Sequence, residues 1–294
     1  MEYTINTNER PLFAEDFPIF EFPIYPKGDE AGLRTKNDPN DPYQRQSIIQ
    51  RRGRVDIRCE HKDVAHGYLS KDSDDLSTLI VIQFRFDPNG IAARIKEAHA
   101  TIKFAAMKKG SPDPEVIDMY PNGGFFVAPT VQDENITRTV GATMGAKAGG
   151  LEIRGQLKHQ KTVNRNAQNF TFVRGSIDVM RASGKPNAVR WDSIENPTTK
   201  TGVVWSLQGA ILLKRETMEP FKAIVSLDVS VDTISSIDAL FTKDREEDDV
   251  WYDPNKPPTN RLLNYDVDNL SSVDLGSLSD VTFRTVLEGA IKQR

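Results

Sequence analysis

The sequence predicts a mostly-β protein: an antiparallel β-sandwich or distorted barrel with an extended N-terminal arm and a C-terminal helix. Three observations predict this class. From residue 53 onward, apolar and polar residues alternate with the two-residue period of half-buried strands. Turn residues such as Asp87-Pro88-Asn89-Gly90 separate the alternating runs. No helical pattern of about ten to fifteen residues stands between the strands, so a parallel α/β sheet is not expected.

Residues 1–52 are predicted to form a proline-rich extended arm and a linker. Six prolines fall in this stretch, and proline lacks the backbone donor that a long helix or a central strand requires. Residues 12–26 are nevertheless too apolar for a purely disordered tail. The candidate interface residues of the arm are Phe13, Phe17, Phe20 and Phe22. We expect them to lie on the folded body or on a partner chain.

Residues 53–232 are predicted to form the sandwich itself, with about nine to twelve strands. Pro121-Asn122-Gly123-Gly124 indicates a tight hairpin turn, because Asn-Gly tolerates a positive φ. Residues 151–158 and 169–180 are expected to pair as a further hairpin. The run of glycine and alanine at residues 141–150 is interpreted as a flexible loop or a tight backbone crossing, with a membrane-inserting hairpin as the alternative.

Residues 233–294 are predicted to form an acidic loop followed by an amphipathic helix. The acidic run from Asp244 to Asp253 lacks the spacing of a calcium-binding loop and is interpreted as a solvated loop. In the helix predicted over residues 281–292, Phe283 and Leu287 fall on one apolar face. They are the second set of candidate interface residues, facing the sandwich or a neighbouring subunit.

Composition and charge narrow the possible classes of protein. A single cysteine excludes an internal disulfide and favours a reducing compartment, and no basic segment with the features of a signal peptide opens the chain, so we expect a cytoplasmic protein. No apolar run approaches the roughly 20 residues of a membrane-spanning helix. The net charge of −4 argues against tight nucleic-acid binding. A mildly basic middle lies between acidic ends, which either fold back on it or leave it free for an anionic partner.

A weak metal-binding pattern occurs at the start of the sandwich. Cys59 and His61 would share one face of a strand, and His66 could return after a turn. These residue types suit zinc, but a fourth ligand is not evident. The alternative is one buried thiol and two surface histidines. We predict no cofactor.

The candidate binding residues are Trp191, Glu195, Asn196 and Trp205. A tryptophan with polar neighbours can stack on a sugar or another small ligand. Alternatively, Trp191 is an anchor between two sheets, and Glu195 and Asn196 satisfy backbone groups at a turn. Catalytic residues stay unknown, because no nucleophile elbow or other catalytic constellation is present.

One combination of residues resembles a known group of proteins. It consists of Trp191, Glu195-Asn196, Gly202 and Leu212-Leu213-Lys214-Arg215, preceded by Phe172-Val173-Arg174-Gly175-Ser176. The combination resembles an uncharacterised family of filamentous-fungal proteins over residues 53–253. The resemblance implies a fungal origin and a fold, but no activity.

Three classes of function follow from these observations. The favoured hypothesis is a non-enzymatic assembly protein, a homo-oligomer that binds itself or another protein through its arm or C-terminal helix. The alternative is an enzyme or a binding protein for a small molecule or carbohydrate, with an unrecognised pocket. The third and least favoured hypothesis is a membrane-binding or pore-forming protein.

Overall fold

The computed structural model describes residues 35–52, 55–89, 94–148, 151–180, 184–198, 200, 202–231 and 247–282, with the backbone alone described for residues 127–169. Its regular structure consists of twelve strands and a 3₁₀ helix at Leu270–Ser272. The strands are β1 Ser47–Arg51, β2 Val55–Tyr68, β3 Leu76–Pro88, β4 Ile95–Ala106, β5 Glu115–Tyr120, β6 Gly123–Ala148, β7 Leu151–Asp178, β8 Ala188–Ile194, β9 Ser206–Arg215, β10 Phe221–Val231, β11 Val250–Tyr252 and β12 Asp280–Thr282.

The strands form two antiparallel sheets of six strands each. Sheet I has the order β1-β2-β3-β9, and both β5 and β12 pair with the far edge of β9. Sheet II has the order β11-β10-β4-β8-β7-β6. Each sheet has two distinct ends, so among the described strands neither sheet closes on itself. The prediction of a mostly-β, antiparallel protein is therefore confirmed, and the distorted barrel is not observed.

The two sheets share one hydrophobic core. In β2, Val55, Ile57 and Cys59 are buried while the residues between them are partly exposed, as the two-residue period requires. Ala223 and Leu227 of β10 enter the same core from sheet II. Each large apolar side chain removed from water in this way contributes about 1.5–3 kcal/mol.

The outer face of sheet I is covered by residues 259–279, which we call the C-terminal strap. A second apolar cluster joins Leu79 of β3 and Leu212 of β9 to Leu270 and Leu275 of the strap. Strand β9 is thus buried on both faces, as its long apolar sequence predicts.

Asp63 on β2 anchors the strap. It is 1% exposed. One of its carboxylate oxygens accepts hydrogen bonds from the Thr259 hydroxyl (2.6 Å) and the Arg261 amide (2.7 Å). The other accepts them from the Leu262 amide (2.8 Å) and the Tyr265 hydroxyl (2.7 Å). Burial alone would raise the pKa of Asp63, but these hydrogen bonds outweigh it and lower the pKa.

The C-terminal helix is not supported. Its predicted first residue, Val281, lies in strand β12, where it pairs with Leu207 of β9 and packs against the main core. The open edge of β9 offers backbone hydrogen bonds that residues 280–282 take up in place of a helical turn. The candidate interface residues Phe283 and Leu287 lie outside the described residues.

The N-terminal arm is only partly within the described residues. Phe13, Phe17, Phe20 and Phe22 lie outside them. The linker predicted up to residue 52 contains strand β1, whose Ile48 and Ile49 are fully buried. A five-residue strand carries too short an alternation to stand out from the prolines that precede it.

Two predicted hairpins are wrong. The turn at residues 121–124 connects β5 in sheet I with β6 in sheet II, so it is a corner between sheets. Gly175 of β7 permits this corner, because a Cβ there would lie 1.9 Å from the Pro121 carbonyl oxygen. The expected hairpin between residues 151–158 and 169–180 is instead the single strand β7, which pairs with β6. Residues 141–148, predicted to be a loop, are part of β6.

The acidic end folds back onto the basic middle, as one of the two charge interpretations expects. Glu247 forms an ion pair with Arg51 (3.5 Å) and accepts a hydrogen bond from the Thr35 amide (2.7 Å). Asp249 pairs with Lys222 at 2.7 Å. The described part of the acidic run therefore has a structural role.

Candidate functional site

Trp191, the first predicted binding residue, is an anchor between the sheets. It belongs to β8 of sheet II and is 1% exposed. Its indole Nε1 donates a hydrogen bond to the Pro121 carbonyl (3.0 Å), and its ring packs against Phe84 of sheet I. A Cβ at Gly209 of sheet I would lie 2.4 Å from the ring. No face of this ring is left for a ligand.

The other predicted binding residues make hydrogen bonds within the fold. A carboxylate oxygen of Glu195 accepts hydrogen bonds from Arg94 Nε and the Gly202 amide, both at 3.1 Å. Asn196 is buried, and its side-chain oxygen accepts a hydrogen bond from the Thr198 amide (2.9 Å). The backbone of Trp205 bridges Phe86 and Thr282. The structure therefore favours the structural interpretation of these residues.

The close fit of Trp191 against Gly209 gives a prediction for stability. Gly209→Ala is expected to lower the free energy of unfolding by about 1–3 kcal/mol, because the added methyl group overlaps the indole ring. In a Trp191→Phe background the same change is expected to cost less, because the smaller ring leaves room. A double-mutant cycle followed by urea denaturation measures this coupling. If Gly209→Ala lowers the free energy of unfolding equally in both backgrounds, the added methyl group does not clash with the Trp191 ring.

Cys59, His61 and His66 do not come together as a ligand set. His61 Nδ1 donates to the Arg45 carbonyl (2.7 Å), and its Nε2 accepts from the Tyr252 hydroxyl (2.7 Å). His66 Nδ1 donates to the Thr78 hydroxyl (2.9 Å), and its Nε2 accepts from Gln44. Among the described residues, no group of three His, Cys, Asp or Glu could hold a metal ion.

Burial explains the state of these three groups. It lowers the pKa of His61 to about 4 and that of His66 to about 3, so both imidazoles are neutral near pH 7. Burial also raises the pKa of the Cys59 thiol well above its usual value. The alternative expectation of a buried thiol is confirmed, but both histidines are buried in the core and not on the surface.

One surface depression lies at an end of the sandwich, between Pro114, Arg215 and Phe221. Its free volume of about 10 Å³ has room for about one water molecule. It does not contain any predicted binding residue. In the part of the chain that the structure describes, none of the helical segments has the length and apolar character to span a membrane.

The feature that does stand apart is the hairpin formed by β6 and β7. Strand β6 has 26 residues and β7 has 28, against an average of about five to six for strands in globular proteins. The two strands pair from Gly123–Gly175 at the base to Ala148–Leu151 at the end of the ladder. Beyond the Thr130–Asn169 pair the hairpin extends for roughly 60 Å at about 3.3 Å per residue.

The register of this hairpin places mostly apolar residues on one face and polar residues on the other. Directly opposite residues of an antiparallel pair share a face, and successive residues alternate between faces. Near the tip, one face therefore carries five register pairs: Val140–His159, Ala142–Leu157, Met144–Gly155, Ala146–Ile153 and Ala148–Leu151. The opposite face carries four: Gly141–Lys158, Thr143–Gln156, Gly145–Arg154 and Lys147–Glu152. One face is apolar except for a histidine, and the other is polar.

The two outer edges of the hairpin have no strand partner within the described residues. Strand β6 pairs with β7 alone, and β7 pairs with β8 only from Phe172 to Asp178. Between residues 130 and 169 each strand thus presents one row of backbone donors and acceptors away from its partner. Such an edge is a template for pairing with another chain.

A cluster of aromatic residues marks the base of the hairpin. The ring of Phe126, which is 65% exposed, lies 4.8 Å from the ring of Phe170 and 5.3 Å from that of Phe172, between centroids. Ile194 of the neighbouring strand β8 is the register partner of Phe172 and is 37% exposed. This exposed apolar cluster borders the free edge of β6.

Comparisons with known proteins assign no family. No protein-family model matches the sequence, and no curated protein matches it. Among solved structures, the chain is similar to the crystal structure of the Clostridium perfringens NetB toxin in the membrane inserted form. The sequence identity is 8%, the match covers 60% of this chain and 78% of that chain, and the TM-score is 0.27. At this TM-score the likeness establishes neither a shared fold nor a shared activity.

The sequence contains a signal for the hairpin that the prediction of a loop at residues 141–150 missed. Alternation on the tip half of β6 uses small residues, alanine and glycine, which resemble a flexible segment when one strand is considered alone. The partner strand carries the larger apolar residues Leu151, Ile153 and Leu157 at the matching positions. The pattern becomes clear only when both strands are aligned around Gly149-Gly150.

Proposed function

We propose that the protein is a non-enzymatic, self-associating protein that inserts its β6–β7 hairpin into a lipid bilayer. The observation that supports this proposal is the coincidence of two apolar alternations on one face of the hairpin. Each alternation runs for roughly nine residues, Val140–Ala148 and Leu151–His159, with His159 as the polar exception. A strand needs about nine to eleven residues to cross the roughly 30 Å of a bilayer's hydrocarbon core. The hairpin therefore has the length and the amphipathic pattern of a membrane-crossing pair of strands.

Water is a poor environment for such a hairpin. A two-stranded ribbon is marginally stable on its own, and this one has one apolar face and two edges without a strand partner among the described residues. Lipid would cover the apolar face. A bilayer, however, cannot satisfy the backbone groups at the edges, so these need protein partners.

The edge requirement supports self-association. The outer edges of β6 and β7 offer complementary ladders, so hairpins of neighbouring copies can pair in series. The aromatic cluster at Phe126 borders this edge and adds apolar contact area between copies. Association through the N-terminal arm or the end of the chain stays a prediction, because those residues lie outside the described ones.

A pocket-based activity has less support. Trp191, Glu195 and Asn196 make hydrogen bonds within the fold, and the surface depression near Arg215 holds about one water molecule. We therefore rank membrane insertion above binding of a small molecule or carbohydrate.

Dye release from phospholipid vesicles tests the proposal. Met144 lies at the middle of the apolar face and Thr143 beside it on the polar face. Met144→Arg is expected to reduce release at least tenfold, because a cation at the centre of a bilayer on the lipid side costs about 2–4 kcal/mol. Thr143→Arg, with the same added charge one position away, is expected to keep release within about threefold of the unchanged protein.

Three outcomes would contradict the proposal. The unchanged protein could release no dye from any vesicle composition. The two arginine variants could lose release equally. Chemical cross-linking on vesicles could trap monomers alone, which would leave the hairpin edges without partners and remove the self-association.

A further inference from the structure

The apolar face of the hairpin is interrupted by two cationic residues. Arg138 and Lys161 are register partners, with the Val140–His159 pair on the tip side and the Ile136–Val163 pair on the body side. Like charges at directly opposite positions of an antiparallel ladder are destabilising in water. Pairing within the hairpin does not account for two cations at this register position, whereas attraction to an anionic partner would.

In the inserted hairpin of the proposed function, this pair would lie at the membrane surface. Arg138 lies two residues beyond Val140, where the continuous apolar face ends, and therefore about 7 Å from it along the strand. If the apolar stretch spans the hydrocarbon core, residues 138 and 161 fall in the adjoining headgroup layer, where lipid phosphates lie.

The surrounding charge has the same sign. Residues 136–163 contain five cationic residues and one acidic residue, Glu152. The cationic residues are Arg138, Lys147, Arg154, Lys158 and Lys161. The whole chain carries a net charge of −4, so the excess of cations in the outer part of the hairpin is opposite in sign to the net charge of the chain.

We infer that Arg138 and Lys161 form a binding site for the phosphate of anionic phospholipids and so direct the hairpin to negatively charged membranes. The inference rests on the proposed function. A lipid is a better fit than a free phosphate, because the pair continues directly into the apolar face that acyl chains would cover. Each arginine or lysine near an anionic surface strengthens binding about fivefold.

Vesicle flotation provides the test, with vesicles of phosphatidylcholine alone and vesicles with added phosphatidylserine. The unchanged protein is expected to bind the anionic vesicles more tightly. The double variant Arg138→Gln with Lys161→Gln is expected to bind them about 25-fold more weakly, with binding to phosphatidylcholine unchanged. The control Arg165→Gln with Arg174→Gln removes the same charge nearer the body and is expected to stay within about twofold.

The outcomes separate this inference from the proposed function. Binding of the unchanged protein to neither vesicle would overturn both. Binding and dye release that are equal on the two vesicles would overturn the lipid preference alone, as would equal losses in the two double variants. Competition by inorganic phosphate, beyond that of chloride at the same ionic strength, would reassign the site to free anions.

Discussion

Replacing Asp63 with alanine is expected to lower the free energy of unfolding by about 3–5 kcal/mol. The change removes an acceptor that binds Thr259, Arg261, Leu262 and Tyr265. Hydrogen bonds to a charged group are worth about 1.5–3 kcal/mol each, and their donors would be left beside an apolar sheet face. Urea denaturation measures the loss.

Tyr265→Phe is the matched control for this prediction. It removes a single donor to Asp63 and is expected to cost about 1–2 kcal/mol. The strap should also become a protease target in the Asp63→Ala protein, with cleavage within residues 259–279. Equal losses in the two variants, with no new cleavage, would mean that Leu270 and Leu275 alone hold the strap.

Mild acid is expected to destabilise the core through His61 and His66. In the unfolded chain each imidazole takes up a proton near its ordinary pKa of 6.5, whereas the folded-state pKa is about 4 for His61 and about 3 for His66. The folded state binds fewer protons below pH 6.5, so the stabilisation is complete above that pH and is lost as the pH falls. Each histidine should reduce stability by about 1 kcal/mol per pH unit between pH 6.5 and 5, approaching the limiting slope of about 1.4 toward the lower end.

Measuring the free energy of unfolding between pH 6.5 and 5 checks whether stability falls with the pH and which groups cause the fall. The charged neighbours of the two rings are Arg45 and Arg261 for His61 and Arg215 and Asp253 for His66. His66→Gln is expected to halve the slope between pH 6.5 and 5, because one of two titrating groups is gone.

The comparison variant is His99→Gln. His99 lies beside Asp192 (2.7 Å) on the solvent side of sheet II, and its pKa is raised, so its stabilisation is lost as the pH rises. A slope that His66→Gln leaves undiminished would place the acid sensitivity in the carboxylates.

The architecture was largely predictable because it follows from local alternation. Strand β10, with Ala223 and Leu227 buried, has the clean two-residue period of a half-buried strand. The short strands were not predictable, since β11 and β12 have three residues each and a period cannot be recognised in so few. Their pairing depends on open edges of β10 and β9, which are tertiary features.

The candidate site was less predictable for a different reason. Trp191 is a predicted binding residue, and the structure agrees with the alternative interpretation, an anchor between the sheets, because a large aromatic residue in an alternating strand belongs to the core. The sequence pattern divides the hairpin into several shorter strands, because the glycines at residues 121–124 and 141–150 are typical of turns and loops. Only the register across two long strands shows that their apolar positions coincide, and register depends on pairing over distances that sequence periodicity does not encode.

The direction in which the two strands of the hairpin run has a consequence for how copies would be arranged. Strand β6 leads away from the body and β7 returns to it, so antiparallel pairing of β6 in one copy with β7 in the next leaves both bodies at the same end. Such contacts are heterologous and repeat by rotation. Pairing of β6 with β6 would instead place the bodies at opposite ends. An assembly built by the first route is polar, with every body on the side of the membrane from which the protein arrived.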